Sequence, residues 1–318
     1  MRVVLISAFL ISFVFALKEH KISPLDFIDK RFMDIKILDS KIVEIDKIDG
    51  EKFYGISAIS YDKNRDILYA ISDRGRLFSL RVVTKNGKIT NLKPVSGYRF
   101  KDKNGKKFFK QKSDSEGMVL VDDGDKKSLL ISYELYPKVL IFNTKGREKS
   151  IKNIDLNLPE KLKNIRNYQG KNSALEALTY HKKYGILTAS EFPLRGQKMG
   201  YHGIYNSDGE VCKFKKDFYD NGVTGFESMH DGNILVLQRS ISIQNFSFDI
   251  TLKKVYLEDK KDGVCRSKNL AVFKSLDGWS LDNFEGISHY RDNIYFMISD
   301  DNGNMFQKTI LTMFKILD

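Results

Sequence analysis

Five stretches of this chain follow one pattern, and a chain that repeats a strand–turn–strand unit has few folds open to it. They read "SAISYDKNRDILYAISDRGRLFSL" from Ser57, "EGMVLVDDGDKKSLLISYELYPKVLIFN" from Glu116, "EALTYHKKYGILTASEFPL" from Glu176, "ESMHDGNILVLQRS" from Glu227 and "EGISHYRDNIYFMISDDN" from Glu285. Each has a short strand, a polar turn, then an apolar strand that ends in a polar or charged cluster. Their first positions lie 59, 60, 51 and 58 residues apart. Units of that length, built from consecutive antiparallel strands, predict an all-β fold, a single β-propeller. A β-sandwich is the alternative, but it has no reason to repeat a whole unit with an acid at its start. The spans Val82–Ser113 and Ile241–Trp279 are long enough to hide a further unit, so six blades are expected. The strand-like "DIKILDSKIVEID" (Asp34–Asp46) is expected to close the ring against C-terminal strands. Helical periodicity is weak throughout; "LPEKLKNIRNY" is the best candidate, and it is short.

Repeat-equivalent positions of a propeller converge on its central channel. Four of the five units begin with a carboxylate, Glu116, Glu176, Glu227 and Glu285. Their second strands end in Asp73, Glu134, Glu191, Arg239 and the pair Asp300–Asp301. Converging carboxylates repel one another unless a cation, an arginine or a proton intervenes. Oxygen ligands suit Ca2+ or Mg2+, with Asp73, Glu116, Glu176, Glu227 and Glu285 as the candidate ligand set. Glu285, Asp300 and Asp301 are the candidate catalytic acids, and Arg74, Arg195 and Arg239 the candidate binders of an anionic substrate. The bland reading of each glutamate is that it bonds backbone amides of the neighbouring blade and locks the ring.

Other chemistries find little support. The sequence has no G-x-S-x-G elbow, no H-E-x-x-H, no P-loop and no dinucleotide fingerprint, so no nucleotide cofactor is expected. "DDNGN" resembles part of a calcium loop, but its glycine falls at the fourth position rather than the sixth.

The first residues have a basic start, an apolar run from Val3 to Phe15 and Ala16 at a signal-peptidase position. Residues 1–16 are therefore read as a signal peptide and 17–318 as one domain, exported to the periplasm or the extracellular space. The run is short of the roughly 20 residues a span needs, and no other stretch is long enough, so no membrane span is expected after cleavage. The net charge of +12 comes from lysines scattered at turns, which with export argues against nucleic acid as partner and leaves a small phosphorylated anion open. A monomer is expected. Cys212 and Cys265 could pair across a loop of about 50 residues in an oxidising compartment, or remain two separate thiols.

The segments "YGISAISYD…LYAISDRGRLFSL", "SDSEGMVL", "ALEALTY…TASEFPL", "ILVLQRS" and "LDNFEGISHY…ISDDNGNMFQKTILTMF" together resemble the phytase-like family, "esterase-like activity of phytase". The resemblance runs in order from about Tyr54 to Phe314. It implies an exported β-propeller that hydrolyses phosphoesters or esters with acidic residues. Asp73, Glu116, Glu176, Glu285, Asp300, Asp301, Asn302 and Gln307 fall at matching motif positions. Where the family has "LER" this chain has "LQR", with Gln238 in place of the acid, and Gly303 replaces the aromatic after "SDDN". The leading expectation is a metal-assisted phosphoesterase. Two others stay open: a non-catalytic propeller that binds a cell-envelope or extracellular partner, and a calcium-dependent lactonase-type esterase.

Overall fold

The computed structural model describes residues 17–24, 30–108, 113–122, 127–149, 156–217, 220–242 and 244–317. The expected signal peptide lies outside the described residues. Each of the repeated units forms an antiparallel sheet whose first strand faces the axis. The first blade comprises Ile56–Asp62, Ile67–Ser72, Arg76–Lys85 and Lys88–Arg99. The second holds Ser115–Asp122, Lys127–Tyr133 and Lys138–Asn143, and the third Leu175–His181, Gly185–Ser190, Tyr201–Asn206 and Gly209–Lys215. The fourth holds Gly222–Ser228, Ile234–Ser242, Ser247–Lys261 and Val264–Lys274.

In the fifth blade, Asn283–Arg291, Ile294–Asp300 and Ile310–Ile316 come from the C-terminus, and Ile35–Val43 adds the next strand, with Thr312 opposite Ser40. The ring is thus closed by N- and C-terminal strands, as the sequence predicts. This closure fastens the two ends of the described chain together, so the blades stabilise one another around the circle.

The innermost strands pack in a closed cycle, each against the next, and Asn283–Arg291 returns to Ile56–Asp62. Among the described residues the cycle contains five innermost strands, and the sixth blade expected from the sequence is not among them. The two spans expected to hide it supply outer strands instead, 88–99 in the first blade and 247–261 with 264–274 in the fourth. Length alone could not distinguish a long outer hairpin from a new blade. The expected short helix is present as Glu160–Lys163 with a 3-10 turn at Ile165–Asn167.

Every inner strand carries a β-bulge close to its start. The ladder skips Ser57, Glu176, Thr224 and Glu285, and the pair Glu116–Gly117 in the second blade. A bulge re-aims the side chain of the extra residue and increases local twist. The residue that follows is always small: Ala58, Gly117, Ala177, Gly225 and Gly286. Neighbouring inner strands approach so closely there that a Cβ on Gly117 would lie 2.9 Å from Leu178 N, and one on Gly225 would lie 2.9 Å from Glu285 O. Hydroxyl groups stitch the same seams, with Ser57 Oγ donating to Ser115 O (2.6 Å), Ser132 Oγ to Leu175 O (2.9 Å) and Thr224 Oγ1 to Phe284 O (3.2 Å).

Apolar side chains fill the spaces between blades. Ile234, Val236 and Val255 pack against Ala177, Leu187 and Phe214 from the third blade, while Leu235, Leu237 and Phe273 meet Ile287, Tyr295 and Phe314 of the fifth. Alternation along Ile234–Ser242 therefore buries both faces of one strand. The outer edges of the third and fourth blades also touch, Lys213 beside Val264 in a parallel step, and a Cys212–Cys265 disulfide crosses this edge with its Cα atoms 5.8 Å apart. No helix among the described residues is long and apolar enough to cross a membrane.

The disulfide closes a loop of 53 residues, which the chain-entropy account values at roughly 4 kcal/mol. We expect a Cys212→Ala/Cys265→Ala variant to melt about 5–10 °C below the oxidised protein, measured by calorimetry. Equal melting temperatures would show that the two blades hold together without it.

Candidate functional site

The repeated bulge decides which side chains meet. At one mouth of the channel it presents Ser57, Glu116, Glu176, Thr224 and Glu285. The ends of the second strands form a neighbouring tier: Asp73, Glu134 and Glu191 follow the last paired position, while Arg239 and Asp300 are themselves paired, opposite Gly222 and Asn283. Asp114, just before the second inner strand, joins them. Oxygens of Asp114, Glu116 and Glu134 lie within 4.8 Å of one another. This acidic triad could hold a metal ion.

Arg239 is the cation inside the ring. It donates to Glu191 Oε1 at 3.0 Å and to both Glu285 Oε1 and Asn283 Oδ1 at closer range. Asn283 Nδ2 in turn donates to Glu285 Oε1 at 2.8 Å, so that one carboxylate is fixed from two sides. Burial opposes the Arg239 charge, but Glu285, Glu191 and Glu176 outweigh it and raise its pKa above the usual arginine value.

Away from Arg239 the acids face one another. Burial, then the charges of Glu134 and Glu285, push Glu116 well above the carboxylate range. Burial, then Glu134 and Glu116, do the same to Glu176. Glu134, which accepts Ala174 N–H at 3.3 Å, is pushed up to about 8 mainly by burial. Asp300 is also raised to about 8, by burial and then by Glu285, and Asp114 to about 6 by burial and then by Asp73. In each case burial is the largest cause, and the neighbouring carboxylates add to it.

A cavity of about 630 Å³ opens beside the acids. Asp73 and Asp114 line it together with Arg74, Arg76 and Arg99. Arg74 is exposed and pairs with Asp73 at 3.2 Å. Glu51 receives Arg76 Nε at 3.1 Å and Arg99 Nη2 at 3.0 Å. Arg76 also stacks over Tyr54, 4.9 Å from the ring centroid, and its buried Nη1 has no hydrogen-bond partner among the described residues. A buried guanidinium nitrogen in that state keeps a hydrogen bond to donate.

Not every sequence-derived candidate reaches this mouth. Glu227 belongs to the far end of the channel, where it lines a cavity of about 250 Å³ with Asp62, Lys127 and His289. The residue of the fourth blade that matches Glu116, Glu176 and Glu285 is Thr224, three positions earlier. Asp301 is occupied by its own turn: Oδ1 accepts Gly55 N–H and Gly303 N–H, both at 3.0 Å, and Oδ2 accepts the Thr309 hydroxyl at 3.1 Å. Arg195 is exposed and donates to the carbonyls of Tyr168 (2.7 Å) and Gln169 (3.3 Å). Gln238 is fully buried opposite Val223, on the face of its strand away from Arg239. The "LQR" departure therefore removes no carboxylate from the mouth. Asp114, Asn283, Arg76 and Arg99 were not singled out from the sequence. The small residue after each bulge, Ala or Gly, was the available signal for the register that Glu227 obscured.

Comparison with known proteins places the chain in a family. No curated protein matches the chain. Similar solved structures include three propellers. The β-propeller domain of Cps50 (Swd1) from Myceliophteria thermophila is 9% identical with a TM-score of 0.41, covering 85% of this chain and 99% of that one. U3-55K is 9% identical at a TM-score of 0.38, with 84% and 77% covered, and the Dos1 propeller is 7% identical at 0.35, with 83% and 68% covered. The family described as "Phytase-like: Esterase-like activity of phytase" matches residues 51–303. With a five-strand inner ring and an acidic mouth inside that matched span, the chain belongs to the phytase-like family of β-propeller proteins.

Proposed function

We propose that the acidic mouth is the catalytic centre of a cation-dependent hydrolase acting on phosphoesters or other esters. The observation that carries this reading is the juxtaposition of a three-carboxylate cluster with an arginine-lined cavity, one suited to a hard cation and the other to an anionic substrate. The all-oxygen donor set favours Ca2+ or Mg2+ over softer metals. Asp114, Glu116 and Glu134 would hold the ion. Bound there, a divalent cation supplies Lewis-acid polarisation of a phosphoryl or carbonyl oxygen.

The chain's own residues supply the rest. Arg74 and Arg76 bind the substrate's anionic oxygens, and Arg76 contributes its unpartnered Nη1. Arg239 and Asn283 fix the Glu285 carboxylate and keep it from swinging towards the other acids. Asp300, whose pKa burial and then Glu285 raise to about 8, is the candidate general acid that protonates the leaving oxygen as a water attacks the ester. The protein is read as exported, with a small anionic or ester substrate and no nucleic-acid partner.

Two outcomes test this reading. With p-nitrophenyl phosphate, bis-(p-nitrophenyl) phosphate and p-nitrophenyl acetate as substrates and Ca2+ or Mg2+ added, Glu134→Gln and Asp300→Asn should each lower kcat about 100-fold. Glu227→Gln, at the opposite end of the channel, should leave kcat within about twofold of the parent protein. Wild-type protein inert on every ester, or activity unchanged in the first two variants, would rule out the catalytic assignment.

The second concerns pH. Carboxyls with raised folded pKa values bind more protons folded than unfolded, so their contribution to stability is greatest below about pH 4 and falls as pH rises towards the folded values of about 8 for Glu134 and Asp300. Chelator-treated protein should therefore lose melting temperature between pH 5.5 and 8.5, and millimolar Ca2+ should restore more of it at pH 8.5 than at pH 5.5. A flat profile with no cation effect at pH 8.5 would contradict the reading.

A further inference from the structure

A second cavity adjoins the first and has the opposite chemistry. It measures about 660 Å³ and lies between the 244–246 turn of the fourth blade and the 301–309 loop of the fifth. Ile241, Phe246, Phe248 and Phe306 form its walls, with Asn283 and Asn302 on its polar side. None of its lining residues is ionisable. Phe246 is 90% exposed and Phe306 86%, so both aromatic rings stand in water, which disfavours such surface.

The two cavities are not independent. Asn302 lines both the apolar cavity and the arginine-lined one. Asn283, in the wall of the apolar cavity, bonds Arg239 and Glu285 of the acid ring. A ligand with its charged end beside Arg76 and its body passing Asn302 would place uncharged surface against Phe246 and Phe306. A volume of this order is that of a small-molecule site, and apolar walls with a few neutral amides bind alkyl or aryl groups.

We propose that the cleft formed by Ile241, Phe246, Phe248 and Phe306 is the subsite for an apolar alkyl or aryl group of the substrate, which makes the substrate class amphipathic phosphomonoesters or esters rather than densely charged polyphosphates. This rests on the hydrolase reading for the charged end of the substrate, while the cleft itself is argued from its own lining.

The test separates the two. Binding of methyl-, butyl- and octylphosphonate, and of butan-1-ol and octan-1-ol, is measured by calorimetry in the full chain with Ca2+ present. The wild-type protein should bind more tightly by about twofold or more per added methylene in the phosphonate series. A Phe246→Ser/Phe306→Ser variant, altered only at exposed side chains, should keep methylphosphonate affinity and lose the chain-length dependence. Phosphonates that bind with equal affinity at every length would overturn the inference and leave the hydrolase reading intact. Chain-length dependence for the alcohols alone, with no phosphonate binding, would uphold the cleft and count against the anion site. Neither series binding with length dependence overturns the inference. Sedimentation and flotation with phosphatidylcholine vesicles complete the set: if the double substitution abolishes self-association or vesicle binding but leaves length dependence unchanged, the cleft is a docking surface and the inference fails.

Discussion

Carboxylates crowd this channel mouth, and like-charge repulsion is the constraint that the rest of the site answers to. Oxygens of Asp114, Glu116 and Glu134 lie within 4.8 Å of one another, and at that limit two ionised groups at an effective dielectric near 20 repel by roughly 3–4 kcal/mol per pair. That is a large share of a domain's total stability. The fold answers on one side of the ring with Arg239, which holds Glu191 and Glu285. On the other side, Glu116, Glu134 and Glu176 have no comparable partner among the described residues, and protonation or a bound cation must take its place. The bulges make the arrangement possible, because a regular strand would not turn the same position of each blade towards the axis. The Ala or Gly behind each bulge lets neighbouring inner strands come close enough for the acids to meet.

Much of the fold was legible in the sequence because strand periodicity and the repeat are local signals. The closing strand was legible for the same reason: "IKILDSKIV" is strand-like, rich in Ile and Val, although Asp39–Lys41 breaks its alternation. The blade number was not, since the long hairpins at 76–99 and 247–274 look like additional units until their pairing is known. In the fourth unit the acid at Glu227 masks "TGF", which has the same bulge-then-small pattern with Thr224 in place of a carboxylate.

The site was harder to read than the fold, and for a physical reason. Asp300 and Asp301 are adjacent, yet one faces the acid ring and the other closes a turn against Gly55, some 246 residues away in sequence. Arg76 and Arg99 sit on paired strands of the first blade and become a unit only through Glu51. Contacts of this kind come from tertiary placement, and residue type alone does not encode them. The same holds for the two cavities that share Asn302: one is lined by ionic side chains and the other by apolar ones.

The central claim is that the acid ring is completed by a divalent cation in exchange for protons. Calorimetric titration of chelator-stripped protein with Ca2+ at pH 7, in two buffers of different ionisation enthalpy, tests it directly. The account predicts saturable binding with release of about one proton or more per ion, since raised carboxyls must ionise to serve as ligands. Both the binding and the proton release should be lost in Glu116→Gln/Glu134→Gln. Absence of binding, or binding with no buffer dependence, would contradict it.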